Sequence, residues 1–299
     1  MSGTISAPHS ARLGFLALLA GATGIAFAPI FVRVSEAGPS ATAFYRVFLA
    51  LPFLWLWARA EQRQPESVPP PSARRDFLLL GLAGLLFAAD LALWHWSIKL
   101  TSVANSTLLA NTASIFVTLG AWLLFGERIT PLFIGALVLA LAGTAMLAGA
   151  SFQLSSRHLA GDAIAVGAAM FYGGYQLCVA RLRRRFSTAP IMLWSGLACA
   201  PVLLAIGAAS REKLAAESAR GWLVLIGLAL ISQVGGQSLI TYGFKHLRAS
   251  FASLTLLFQP VMAALFAWGM LGEALHWQQW LGGAVVLGGI ALASRARAA

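Results

Sequence analysis

A chain of 299 residues that is 59% hydrophobic and only 10% charged stands far from soluble globular domains, in which about 25% of residues carry charge. Ten spans of about 20 apolar residues would use most of its length, so lipid is the main solvent and no soluble catalytic domain fits. The formal charge of +11 does not point to nucleic acid, because Lys and Arg stand in short runs between apolar stretches and form no single basic face.

Apolar runs bounded by charge, Gly or Pro place spans near 13–32, 41–58, 77–97, 104–124, 131–150, 161–180, 190–209, 221–243, 250–270 and 277–294. The first follows Arg12 and reads on to Val32, with Pro29 after Ala26 and Ala28, as a retained span and not a leader. The link from Ala60 to Asp76 holds Pro65, Pro69, Pro70 and Pro71 and is expected to be extended. Arg46 in span two and Asp90 in span three lie about six and about seven residues from the same membrane edge, a similar depth at about 1.5 Å per residue. An unpaired charge in a span is costly, so the two mark a functional-site expectation. Three readings stand: a structural ion pair, a seat for the carboxylate or amine of a zwitterion, and proton coupling through Asp90.

Span four spaces Thr107, Asn111, Ser114 and Thr118 by four, three and four residues, one helical face. Such a stripe faces a cavity or bonds to a partner helix. Span six carries Tyr172 and Tyr175, and span three His95 between Trp94 and Trp96; these bring aromatic surface and hydrogen-bond groups. Trp94 and Trp96, with Trp222, Trp268, Trp277 and Trp280, also suit an interfacial belt. Span eight repeats the stripe with Gln233, Gln237 and Thr241, and Gln259 precedes Pro260 in span nine, where it lines a cavity or bonds to the carbonyl that Pro leaves free. Glu127 and Glu273 each follow a glycine and are expected at the positive end of the next helix dipole. Cys178 and Cys199 read as small buried side chains, and His158 with Asp162 lacks a third metal ligand. No zinc-hydrolase motif, phosphate-binding loop or nucleophile elbow is present, so neither an enzyme nor a cofactor is expected.

With the N-terminus inside, the inner segments carry Arg12, Arg59, Arg63, Arg74, Arg75, Arg128, Arg181, Arg183, Arg184, Arg185, Lys245, Arg248, Arg295 and Arg297, fourteen basic residues. The outer segments carry six, namely Arg33, Lys99, Arg157, Arg211, Lys213 and Arg220. Positively charged loops stay in the cytoplasm, so both termini are expected there, in a bacterial-type inner membrane.

Sliding the chain on itself by 146 positions reveals a repeat. Leu79, Gly81, Leu82 and Ala83 meet Leu225, Gly227, Leu228 and Ala229; Lys99 meets Lys245, Ala121-Trp122 meets Ala267-Trp268, and Gly126-Glu127 meets Gly272-Glu273. The frame runs on to Gly143 and Gly289, and a shift of 148 sets Arg33 on Arg181. Five spans in each copy force the second to enter the membrane from the opposite face. The expected fold is therefore an all-α membrane protein of ten transmembrane helices in two inverted five-helix repeats, residues 1–152 and 153–299.

The stretch from Ala104 to Thr130, with Ala121-Trp122-Leu123-Leu124 and Gly126-Glu127-Arg128-Ile129-Thr130, resembles the signature helix and turn of EamA-type drug/metabolite transporters. So does Pro260 through Gly272-Glu273, and the resemblance spans essentially the whole chain. One departure is Ser114, where that family often has the proline that Pro260 supplies in the second copy. The resemblance implies export of small metabolites by alternating access, and its nearest branch, the aromatic and neutral amino-acid exporters, implies amino acids. Asn111, Tyr172, Gln237, Gln233, Gln259, Ser114, Tyr175 and His95 are the candidate cavity residues, with Arg46 and Asp90 as a charge pair. Expected partners are a small-molecule substrate and the bilayer; a facilitative pore and a drug or toxic-compound exporter are the alternatives.

Overall fold

In lipid a backbone must satisfy its own N–H and C=O groups, which leaves helices as the economical way for these apolar runs to cross. The computed structural model describes residues 8–64, 68–148, 156–271 and 275–298. Its main helices are α1 (His9–Val34), α2 (Pro39–Gln62), α3 (Arg74–Leu100), α4 (Asn105–Phe125), α5 (Pro131–Ala148), α6 (His158–Leu182), α7 (Thr188–Ala209), α8 (Ala219–Gly243), α9 (Ala249–Met270) and α10 (Trp277–Ala298). Among the described residues the first nine are long and apolar enough to span. The tenth is as long but opens on Trp277-Gln278-Gln279-Trp280 and closes near Arg295, which dilutes its apolar character.

Burial is inverted relative to a protein in water. Leu78, Leu82 and Leu85 on α3 and Leu123 and Leu124 on α4 are exposed, whereas Arg46, Asp90, His95, Gln233 and Gln237 are buried. Helix pairing respects the sequence repeat. The pairs α5 with α10, α2 with α7 and α4 with α9 each join equivalent helices of the two halves, and most of the other main pairs come in exchanged sets. Thus α3 packs on α6 as α8 packs on α1, α4 on α6 as α9 on α1, and α3 on α7 as α8 on α2.

Several spans are interrupted at depth. Breaks fall at Phe27 in α1, Leu49–Ala50 in α2, Asn111–Thr112 in α4 and Leu256–Leu257 in α9. Pro29, Pro52 and Pro260 follow three of these closely and withhold an N–H from the helix ladder. In α4, where Ser114 stands in place of proline, side-chain hydroxyls do the work: Thr112 donates to the Leu109 carbonyl at 2.5 Å and Ser114 to that of Asn111 at 3.1 Å. Asn111 and Leu257, mates in the repeat, thus both sit in breaks although only one is followed by proline. Helix α8 widens into a π-helix over Leu228–Gln237, a form often found at functional sites. Here Gly236 meets α1 so closely that an added Cβ would lie 2.9 Å from the Ile25 nitrogen.

Carboxylates tie one half to the other. Glu212 accepts the N–H groups of Ser40 at 2.7 Å and Ala41 at 3.1 Å, at the start of α2. Glu36 accepts those of Glu217 at 2.9 Å and Ser218 at 3.0 Å, before α8. Gly126 ends α4 with φ of 65°, and the following Glu127 reaches the N–H groups of Ala249 at 2.7 Å and Ser250 at 3.2 Å. Glu127 therefore meets the dipole of α9 and not that of α5, the next helix in the chain, because the turn after Gly126 aims it across the bundle. Gly272 and Glu273, with the 152/153 boundary between repeats, lie outside the described residues.

Candidate functional site

Non-helical backbone at membrane depth is tolerated where it is buried in protein or lines a cavity, and three of the four breaks meet at one. A cavity lies between α1, α2, α3, α4, α6, α8 and α9. Ile25, Ala26 and Pro29 flank the α1 break, Ala110 and Asn111 stand at that of α4, and Gln259 and Ala263 follow that of α9. Helix α3 presents Phe87, Asp90, Leu91 and Trp94, a single face by its three- and four-residue spacing.

Arg46 is 3% exposed, donates from Nε to Gln233 Oε1 at 3.1 Å, and holds its guanidinium 5.9 Å from the Phe87 ring centroid. Asp90 is 7% exposed and has no hydrogen-bond or ion-pair partner among the described residues. The two charges interact electrostatically but make no direct ion pair among the described residues. Both line the same cavity, so neither is consumed by the other. Asn111 donates from Nδ2 to the Thr107 carbonyl at 2.7 Å, and its side-chain Oδ1 has no hydrogen-bond partner among the described residues. The Tyr172 hydroxyl is close to both the Gln237 and the Gln259 amide. Gln237 Oε1 and Gln259 Nε2 are buried without partners among the described residues. Buried polar atoms left open in this way are uncommon and call for a ligand or water. Phe87 stacks on Tyr175 at 4.5 Å, and Tyr175 on Tyr172 at 6.2 Å, so an aromatic column backs the polar groups.

The structure thus brings Arg46, Asp90, Asn111, Tyr172, Gln237 and Gln259 into one lining, together with Thr107. Four other candidates stand behind or outside it. Gln233 holds Arg46. Ser114 bonds back to its own helix, as does Thr118 to the Ser114 carbonyl at 2.7 Å. The Tyr175 hydroxyl points to the Met192 sulfur at 3.8 Å, and His95 places Nδ1 3.0 Å from the Pro39 carbonyl, tying α3 to the start of α2. Trp94, expected in the interfacial belt, is 9% exposed and lines the cavity instead. Its place four residues after Asp90 was the available signal. Among the described residues no three His, Cys, Asp or Glu side chains gather as metal ligands would.

Comparison with known proteins agrees with this architecture. The model of the EamA-like transporter family matches residues 12–149 and 159–295, once in each half. An uncharacterized transporter of Archaeoglobus fulgidus is 25% identical over 95% of this chain and 97% of its own length. The pseudopaline exporter CntI of Pseudomonas aeruginosa is 25% identical over 73% of each chain. The uncharacterized transporter YdfC of Bacillus subtilis is 26% identical over 91% of this chain and 87% of its own. A solved crystal structure shares the fold, with a TM-score of 0.75 and 21% identity over 96% of this chain and 98% of the other.

Proposed function

Because the chain belongs to the EamA-like transporter family, we propose that it exports small zwitterionic metabolites by alternating access, with neutral amino acids bearing apolar or aromatic side chains as the leading class. One observation carries this reading: an apolar and aromatic cavity holding one cation, one anion and several open amide groups. Arg46 offers its remaining guanidinium N–H groups to a carboxylate, and Asp90 offers acceptors to an ammonium group. Asn111, Gln237 and Gln259 supply neutral donors and acceptors, while Phe87, Trp94 and Tyr172 flank the side chain with aromatic surface. A similar protein named as the pseudopaline exporter supports outward traffic of a metabolite.

On this reading residues 1–152 and 153–299 are the two moving units, both termini face the cytoplasm of the inner membrane, and no reaction is catalysed. Counterflow in liposomes with a panel of labelled amino acids tests it. The expected result is saturable, stereoselective exchange of apolar and aromatic amino acids that weakens in Asn111→Ala and Gln237→Leu. Flux without saturation would indicate a pore, and saturable exchange of none of the amino acids would exclude the substrate class.

A further inference from the structure

A second pocket opens at the other end of α3, between its first turns and the α6–α7 junction. We propose that it binds the headgroup of an anionic phospholipid. Arg75, Arg181 and Arg185 form its rim, and Leu79, Leu182 and Phe186 its floor. Asp76 is buried and accepts from Arg185 Nη1 at 2.6 Å, which fixes that guanidinium in place. Arg75 and Arg181 make no hydrogen bond or ion pair with another side chain among the described residues, so their two positive charges remain for an anion.

A phosphodiester fits such a rim, since guanidinium groups pair with phosphate oxygens through two parallel N–H donors. The floor and the surroundings favour a lipid source over a free anion. Leu182 and Phe186 are buried beneath the arginines, whereas Phe77 and Leu78 beside them on α3 are exposed, as lipid-facing residues are. Glycerol and the first acyl carbons would lie on that apolar surface; a soluble phosphate has no use for it. The same end of the bundle carries the excess of basic residues expected in the cytoplasm, where anionic lipids give the leaflet a negative surface.

Native mass spectrometry of the full-length protein in neutral detergent, with phosphatidylglycerol or phosphatidylcholine added, tests the site. Phosphatidylglycerol should be retained roughly tenfold better than phosphatidylcholine, from two surface arginines acting together. The preference should vanish in Arg75→Gln/Arg181→Gln and persist in Arg12→Gln/Arg63→Gln, which removes equal charge at the same end but outside the pocket. Arg185 is left intact because it bonds to Asp76. Equal loss in both double variants, equal retention of the two lipids, or displacement by an equal concentration of inorganic phosphate would each overturn the proposal; the last would make the ligand a soluble anion.

Discussion

Removing both intramembrane charges at once separates a structural pair from a substrate site. Arg46 and Asp90 line one cavity without a direct ion pair among the described residues. Unit charges 4 Å apart attract by about 4 kcal/mol at an effective dielectric near 20, and less beyond that distance. Removing a single partner leaves a buried charge uncompensated, at a cost of about 3–5 kcal/mol. Arg46→Gln also strips the charge from its bond to Gln233 Oε1 at 3.1 Å, which adds to the loss. Arg46→Gln and Asp90→Asn should therefore each destabilise the protein, and the double variant should recover roughly 1–3 kcal/mol of the summed loss. Chemical unfolding in detergent micelles measures this cycle, and liposome counterflow on the same variants measures transport. The double variant is expected to be destabilised by less than the sum of the two single variants, and to lose saturable exchange of zwitterions. Additivity to within about 0.5 kcal/mol would refute the electrostatic argument, and unchanged exchange by the double variant would remove both charges from the site.

Gly84→Ala would drive a Cβ into the Ser195 carbonyl oxygen, whereas a Cβ at Gly81 meets nothing within 4 Å. The first change should cost about 1–3 kcal/mol by forcing α3 from α7, and the second should be neutral or mildly stabilising by helix propensity; equal unfolding midpoints would refute the close packing. Glu36 is held below its ordinary value of 4.5 by the Ser218 side-chain hydrogen bond first and then by the backbone N–H groups of Ser218 and Glu217. Its contribution is complete above the unfolded value and fades as pH falls through the lower folded one. The stability gap between wild type and Glu36→Gln should thus shrink below about pH 4.5, and a constant gap in an acid titration would contradict that. With Cys178 and Cys199 replaced by Ser, a cysteine at Lys213 should react with an impermeant maleimide in intact cells while one at Arg184 stays protected; the reverse pattern would invert the topology.

Much of this could be read before the fold was known, for reasons that differ by residue. Ten spans and two repeats follow from hydropathy and self-similarity, which lipid imposes on every crossing segment. Arg46, Asp90, Gln237 and Gln259 stood out because polar groups in hydrocarbon are costly. Ser114 shows where the logic fails. A face drawn on a straight helix carries it beside Asn111, but the break at Asn111–Thr112 turns its hydroxyl back onto its own backbone. His95 and Glu127 fail differently: their partners, Pro39 and α9, lie on other helices, and no spacing along one element names them.

The repeat and the cavity make opposite demands, and the residues divide accordingly. The main helix pairings are preserved when the halves are exchanged, as they must be if one conformation is to be related to the other by a pseudo-twofold axis in the membrane plane. Apart from Thr107, whose mate is Ser253, the polar lining breaks that symmetry. Asp90 has Gly236 as its mate, Asn111 has Leu257, Gln237 has Leu91 and Gln259 has Ala113 under the 146 shift, while Arg46 meets Trp194 and Tyr172 meets Gly24 under the 148 shift. Were both copies polar, the cavity would hold two arginines and two aspartates and would suit a doubly charged or dimeric ligand. With one copy of each, it presents a single cation and a single anion, the complement of one zwitterion. On the alternating-access reading, exchange of the halves moves the opening from one face to the other. The bound molecule would then keep the same Arg46 and Asp90 throughout, since among the described residues the lining holds no second such pair.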